Sequence, residues 1–296
     1  MNILVSGATG FVGRNLTNVL VESNTVYALV RESTNTSILD NRIKLIEIED
    51  DINVLIKQVN EKEIEGIIHL ASLFLTDHKP SQIKSLIQSN VLLGTELLET
   101  AAKTDVKWFI NTGTFWQHFN NDLFNPVNLY ASTKQAFEDI SKFYIETTDL
   151  RIVTLKINDT FGPNDIRSKI FNLWEKISET GESLDMSPGD QLMDICYIDD
   201  VVAAYLCLVE LVTSNEKFIN GEVYSLKAKK RVTLKRLAEI FQEISGKHLN
   251  ISWGGRTYKK REVMNPWDGG KEIPGFEQKV SLEEGISRYL NRDFKE

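Results

Sequence analysis

Of the eight tyrosines in the chain, only Tyr130 has a lysine four places on, in the run Tyr130-Ala131-Ser132-Thr133-Lys134. On a helix that spacing puts both side chains on one face. A phenol near its ordinary pKa of about 10 exchanges protons poorly at neutral pH. A neighbouring ammonium favours the phenolate and brings the group toward the working range of a general acid or base. Such chemistry needs a third participant, a hydroxyl that holds the oxygen being protonated. The apolar run ending at Asn111 continues into Thr112-Gly113-Thr114-Phe115-Trp116-Gln117, and either threonine could stand at the carboxyl end of a strand.

The elements that must position these groups begin at the N-terminus. A short apolar strand, Met1-Asn2-Ile3-Leu4-Val5-Ser6, enters the loop Gly7-Ala8-Thr9-Gly10-Phe11-Val12-Gly13, and a helix with apolar spacing follows. Glycine at every third position lets the backbone approach a pyrophosphate, and the helix start aims free N–H groups at it. This layout predicts a dinucleotide site at Gly7, Thr9, Gly10, Phe11, Val12 and Gly13. A cationic nicotinamide there would also favour the Tyr130 phenolate.

Short Val/Ile/Leu runs recur at 25–30, 43–48, 66–70, 107–111 and 151–157, with amphipathic stretches at 13–22, 52–63, 81–103 and 131–148 between them. Strands buried on both faces read this way. The pattern predicts an α/β fold, a doubly wound parallel-sheet Rossmann domain. Beyond residue 160 the rhythm loosens, with helices expected at 168–180 and 201–213 and loops at 254–275. We therefore expect the dinucleotide domain at 1–165 and 196–222. A smaller, discontinuous substrate domain, 166–195 and 223–296, should cover the carboxyl ends of the strands.

With 296 residues and 42% hydrophobic content the chain can bury a substantial core, and its net charge of −8 argues against nucleic-acid or anionic-membrane partners. Two cysteines, 196 and 207, demand no disulfide, and no basic leader precedes the first strand, so a cytoplasmic location is expected. The four histidines (69, 78, 118, 248) form no ligand-spaced group, so no metal site is expected. No Gly-x-Ser-x-Gly elbow supports a hydrolase.

Taken in order, the glycine loop, Ile68-His69-Leu70-Ala71-Ser72, Ser89-Asn90-Val91 with Gly94-Thr95, Tyr130 to Lys134, and Tyr197-Ile198-Asp199-Asp200-Val201 resemble the extended short-chain dehydrogenase/reductase family, also called the NAD-dependent epimerase/dehydratase family. The likeness runs from residue 1 to about 290. It implies Thr112, Tyr130 and Lys134 as the catalytic triad, with Thr112 preferred over Thr114 by matching Phe115-Trp116-Gln117 to the family's Val-Tyr-Gly. It also implies Asn90 on a water-mediated proton path, cofactor contacts from Leu70, Ala71, Ser72, Asp51 and Ile52, and a homodimer through helices near 90–103 and 131–148. Thr114, Trp116, His118 and Asn158 are expected to face the sugar of a nucleotide-sugar substrate.

Family members that hold NAD usually end their second strand with an acidic residue for the ribose 2′-hydroxyl. This chain has Val30-Arg31 there, and Arg14 follows the glycine loop; both suit a 2′-phosphate, so NADP(H) is expected before NAD(H). Family dehydratases follow the catalytic threonine with Asp-Glu, whereas Gly113 and Thr114 follow Thr112 here, so dehydration is disfavoured. Reduction of a ketone by NADPH remains, and a 4-epimerase or a non-catalytic NADP sensor is less favoured. The stretch from Asn111 to His118 and that from Asn125 to Tyr130 most resemble reductases of nucleotide-linked 4-keto deoxyhexoses, such as the CDP-paratose and CDP-abequose synthases. The family's diphosphate-binding arginine is replaced by Met193, ahead of Asp194, and its arginine before the Gly-Pro turn by Lys156. Arg256, Arg261 or Lys260 could compensate.

Overall fold

The structure is a computed structural model and describes residues 1–214 and 218–291. At its centre lies a sheet of seven parallel strands among the described residues: β1 (Asn2–Ser6), β2 (Thr25–Val30), β3 (Lys44–Glu47), β4 (Gly66–His69), β5 (Trp108–Thr114), β6 (Arg151–Ile157) and β7 (Val223–Ser225). Their order is β7-β6-β5-β4-β1-β2-β3. The chain therefore reverses its direction of travel between β1 and β4, which opens a crevice at the carboxyl ends of those two strands.

Side-chain alternation builds a core on each face of the sheet. Ile3, Val5, Val26, Ala28, Ile110, Val153 and Leu155 pack with α1 (Phe11–Leu20) on one side. Leu4, Tyr27, Leu29, Ile67, Phe109 and Ile152 pack on the other. That second layer holds α2 (Ile52–Glu61), α4 (Leu93–Ala102) and α5 (Leu129–Thr147), with α3 (Ile83–Ile87) against α5. Full burial of each such aliphatic side chain stabilises by about 1.5–3 kcal/mol.

The strand at 223–225 pairs with β6, Val223 opposite Thr154, so the expected domain boundary at 222 falls inside the sheet. Three residues at a sheet edge carry too short a pattern to stand out from loop sequence. The second lobe contains α6 (Ile170–Thr180), α8 (Leu234–Ser245) and α9 (Leu282–Leu290), while α7 (Ile198–Thr213) packs against α1. Asp200 at the head of α7 accepts from the backbone N–H groups of Lys279 (2.8 Å) and Val280 (3.0 Å), which docks the C-terminal segment on this helix. No helix among the described residues is long and apolar enough to cross a membrane.

Candidate active site

The glycine loop is shaped by close approach. Gly7 has φ +74°, and a Cβ there would lie 2.6 Å from the Ala71 nitrogen in the loop after β4. A Cβ on Gly13 would lie 2.1 Å from the Gly7 carbonyl oxygen, so α1 abuts the turn only because that side chain is missing. Gly10 caps α1 without a side-chain acceptor, which leaves the first N–H groups free for an anion. Ser6 Oγ joins the two loops, lying 2.7 Å from His69 Nδ1 and accepting from Ala71 N at 3.3 Å. His69 is fully buried, and desolvation holds it neutral with a pKa near 3. The residues thus fit a dinucleotide: a crevice, a side-chain-free turn and an uncapped helix start converge.

A cleft of about 690 Å³ opens beside this loop. It gathers the predicted Val12, Leu70 and Ser72 with Thr112, Thr114, Trp116, Tyr130, Lys134 and Asn158. Tyr130 and Lys134 share the inner face of α5. Asn128 fixes where that helix begins: its Oδ1 accepts from Ala131 N at 3.0 Å, and its amide donates to the Leu75 and Thr76 carbonyls.

The Tyr130 side chain lines this cleft together with Ser72, Thr112 and Thr114. The Thr112 hydroxyl lies 2.7 Å from the Tyr205 hydroxyl on α7, in buried surroundings. That contact engages the Thr112 hydroxyl, while Thr114 Oγ accepts from Trp116 N, at 3.3 Å. Residues two apart on a strand share a face, so both threonines reach the cleft while α7 brings Tyr205 to Thr112.

Burial pushes the Tyr130 phenol up to about 12 and Lys134 down to about 8, so without a bound cation the phenol stays protonated. Asn90 lies in a π-helical turn (Gln88–Leu92) and is fully buried. Its Oδ1 accepts from Leu73 N (2.7 Å) and Ser72 Oγ (3.2 Å), and its amide donates to Leu73 O (3.0 Å) and Thr133 Oγ1 (2.9 Å). All of its side-chain hydrogen-bonding capacity is used within the protein, so the Asn90 side chain braces the β4 loop against α5.

His118 lies outside the cleft, 5% exposed, with Nε2 2.7 Å from Lys156 Nζ and its ring stacked on Trp267. Its expected place in the sugar pocket is corrected accordingly. Of the cofactor candidates, Arg31 is exposed just beyond β2, and Arg14 donates to the Asn164 carbonyl at 2.8 Å. Asp51 caps α2 by accepting from Asn53 N at 2.9 Å, with Ile52 as the first helical residue.

A second cleft of about 880 Å³ adjoins the first and shares Thr76, Trp116, Asn158, Asp159 and Met193 with it. Arg256, Lys259, Lys260 and Arg261 line its far side. Arg261 donates to Asn125, lies 4.3 Å from the Phe119 ring centroid, and keeps a buried Nε without a partner. The same cleft carries Asp77, Asp159, Asp194 and Glu262, and Lys259 is bound to Asp77 at 2.6 Å, so Arg256, Lys260 and Arg261 are the cations that suit a diphosphate.

A family model described as the NAD dependent epimerase/dehydratase family matches residues 3–225. The chain belongs to that family. Curated relatives include the CDP-abequose synthase of Salmonella muenchen, 28% identical over 98% of this chain and 97% of the relative. The CDP-abequose synthase of Yersinia pseudotuberculosis is 27% identical over 99% and 100%. Among solved structures, the UDP-glucose 4-epimerase of Thermotoga maritima superimposes with a TM-score of 0.84 at 22% identity, covering 98% of this chain and 97% of that one. The UDP-glucuronic acid 4-epimerase of Bacillus cereus does so with 0.85 at 22%, covering 98% of each. Those structures share the fold of this NAD(P)-dependent family member.

Sequence reasoning missed several cleft residues. Phe74 meets Tyr130 edge-on at 5.0 Å and Trp116 at 5.5 Å, giving the Tyr130 ring an apolar wall. Asp159 is the one carboxylate lining the first cleft among the described residues, and it is bound to Lys169 at 2.9 Å. Arg167 covers Phe11 of the glycine loop at 4.5 Å while bonded to Asp165. Their position just past β4 and β6 was the available signal, because the strand ends of such a sheet face its ligands.

Proposed function

We propose that this family member is an NADPH-dependent reductase of a nucleotide-linked 4-keto-deoxyhexose or dideoxyhexose. The observation that carries the reading is the convergence of Tyr130, Lys134, Thr112 and Thr114 on the first cleft, whose one carboxylate among the described residues, Asp159, is paired with Lys169. A bound NADPH supplies the hydride that reaches the ketone carbon. Tyr130 donates its phenolic proton to the oxygen that becomes the alcohol, and a phenol kept protonated by burial is the form this step requires. Thr114 hydrogen-bonds the same oxygen as its charge grows. Lys134, unpaired and buried, holds the cofactor ribose and favours return of a proton to the phenolate.

Dehydration asks for an acid and a base next to the catalytic hydroxyl. Phe115 and Trp116 follow Thr114, and Asp159 is committed to Lys169, so nothing supplies them. Arg31 beyond β2, where a carboxylate would bind an unphosphorylated ribose, supports NADP(H) over NAD(H). The second cleft takes the nucleotide diphosphate, with Arg261 and Arg256 standing in for the arginine replaced by Met193. The likeness to CDP-abequose synthases along nearly the whole chain supports the same substrate class. The exposed Ile83, Ile87 and Leu92 on α3–α4 and Phe143 on α5 provide the face for the proposed homodimer.

The test is a screen of CDP-, dTDP-, UDP- and GDP-linked 4-keto-6-deoxyhexoses and their 3-deoxy counterparts against NADPH and NADH. We expect loss of NADPH absorbance with one nucleotide series. Tightly retained NAD+ with no NADPH oxidation on any of them would establish a 4-epimerase instead, and the absence of any turnover would favour a sensor.

A further inference from the structure

Between Thr114 and Tyr130 the chain runs through a segment that holds the basic loop of the second cleft in place. Asn121 Oδ1 accepts from Asp268 N at 2.8 Å, Asn125 accepts from Arg261, and Phe119 lies under the Arg261 guanidinium. At the centre of these contacts His118 stacks on Trp267, ring centroids 4.0 Å apart and planes 12° from parallel. Phe115 meets Trp267 from the side at 5.5 Å. Lys156 Nζ reaches His118 Nε2 at 2.7 Å and Glu138 Oε2 at 3.0 Å, and lies 5.3 Å from the Trp267 ring centroid.

These distances fix one tautomer. The Lys156 ammonium only donates, so Nε2 accepts and the proton sits on Nδ1, which donates to the Asp122 carbonyl at 3.1 Å. We propose that His118, held neutral between Lys156 and Asp122, positions the Arg256–Arg261 loop for the substrate's diphosphate through its stack on Trp267. This rests on the reading of the second cleft as the nucleotide site. His118 touches no substrate in this account; it is a positioning residue that ties the segment bearing Thr114 to the loop bearing Arg261.

Protonation of Nε2 would set two N–H cations head to head. Lys156 on β6 and Glu138 on α5 are the charged groups facing the ring, and Asp139 and Lys142 act on Lys156 from the same helix. On the Trp267 side, Asp268 is bound to Arg231. Burial and Lys156 together hold the imidazole below its usual range, so the stack persists at neutral pH and loosens in acid.

The experiment measures by calorimetry the affinity of the full chain for CDP-, UDP-, dTDP- and GDP-glucose, whose diphosphate diesters do not titrate near neutrality, and for NADP+. The most tightly bound nucleotide sugar serves as the probe. His118→Leu removes the acceptor and should weaken it about tenfold or more, with NADP+ affinity within about twofold. His118→Gln restores an acceptor that does not titrate. It should keep affinity within about threefold and abolish the acid loss that wild type shows as pH falls below the ordinary imidazole value of about 6.5. Unchanged probe affinity in His118→Leu, or an acid loss that persists in His118→Gln, overturns the positioning role. Failure of wild type to bind any of the four nucleotide sugars overturns the reading of the cleft on which that role rests.

Discussion

The two adjoining clefts are built from different materials. The first stands on strand ends and the buried face of α5. Its working groups are two hydroxyls and an isolated ammonium set among Phe74, Trp116, Ile157 and Met193. The second is walled by a loop whose cations Arg256, Lys259 and Lys260 are exposed to solvent. In the first, low polarity moves the pKa values of Tyr130 and Lys134 in opposite directions and makes each hydrogen bond count. In the second, charges meet a charged ligand at little desolvation cost and gain affinity by number. Under the proposed function, one cleft serves proton transfer and the other grip.

The largest effect that would sharpen this contrast lies between two neighbouring threonines. Thr114→Val should lower kcat by about 10²–10³, the cost of removing a donor to a developing oxyanion. Thr112→Val should leave kcat within a few-fold and lower the melting temperature instead, because the buried Tyr205 hydroxyl loses its partner at a cost of about 1–3 kcal/mol. Equal kinetic losses in the two variants would break the assignment of Thr114.

Next in size, Arg261→Met should raise the KM for the nucleotide sugar by roughly 10–100-fold, the loss of charge-assisted bonds, with the KM for NADPH unmoved. A matching rise for both would show that the clefts are not divided as described. Arg31→Ala should cut the preference for NADPH over NADH by about tenfold, read from the two kcat/KM values. The smallest effect is on pH. Lys134 has its folded pKa lowered to about 8, so its charge is complete below that value and lost as pH rises through it. Since kcat/KM reports the free enzyme, it should fall about fourfold by about pH 8.5. A flat profile to pH 9 would remove the lysine charge from the mechanism.

The first cleft was largely legible in the sequence and the second was not. Glycines at 7, 10 and 13 after an apolar strand, and Tyr130 with Lys134, are spacing signals that local geometry alone interprets. The difference between Thr112 and Thr114 was not legible, because both face the cleft and it is the Tyr205 hydroxyl on α7 that engages Thr112. His118 read as a pocket residue until Lys156 and Trp267, 38 and 149 positions away, supplied its partners. Helix α8, capped by Thr233 and ended by Gly246, carried apolar spacing at Leu234, Leu237, Ala238 and Phe241, yet lay where the strand rhythm had loosened. Arg261 was named only as one of several cations, since a surface cation and a ligand-binding one look alike until Asn125 and Phe119 are seen to hold it.

The central claim is that Tyr130 protonates the oxygen of a ketone as NADPH reduces it. Single-turnover loss of NADPH absorbance with the nucleotide-linked 4-keto sugar, in wild type and in Tyr130→Phe, tests it most directly. The account predicts that the variant binds both ligands normally and turns over about 10²–10⁴-fold more slowly. Turnover by Tyr130→Phe within a few-fold of wild type would contradict it.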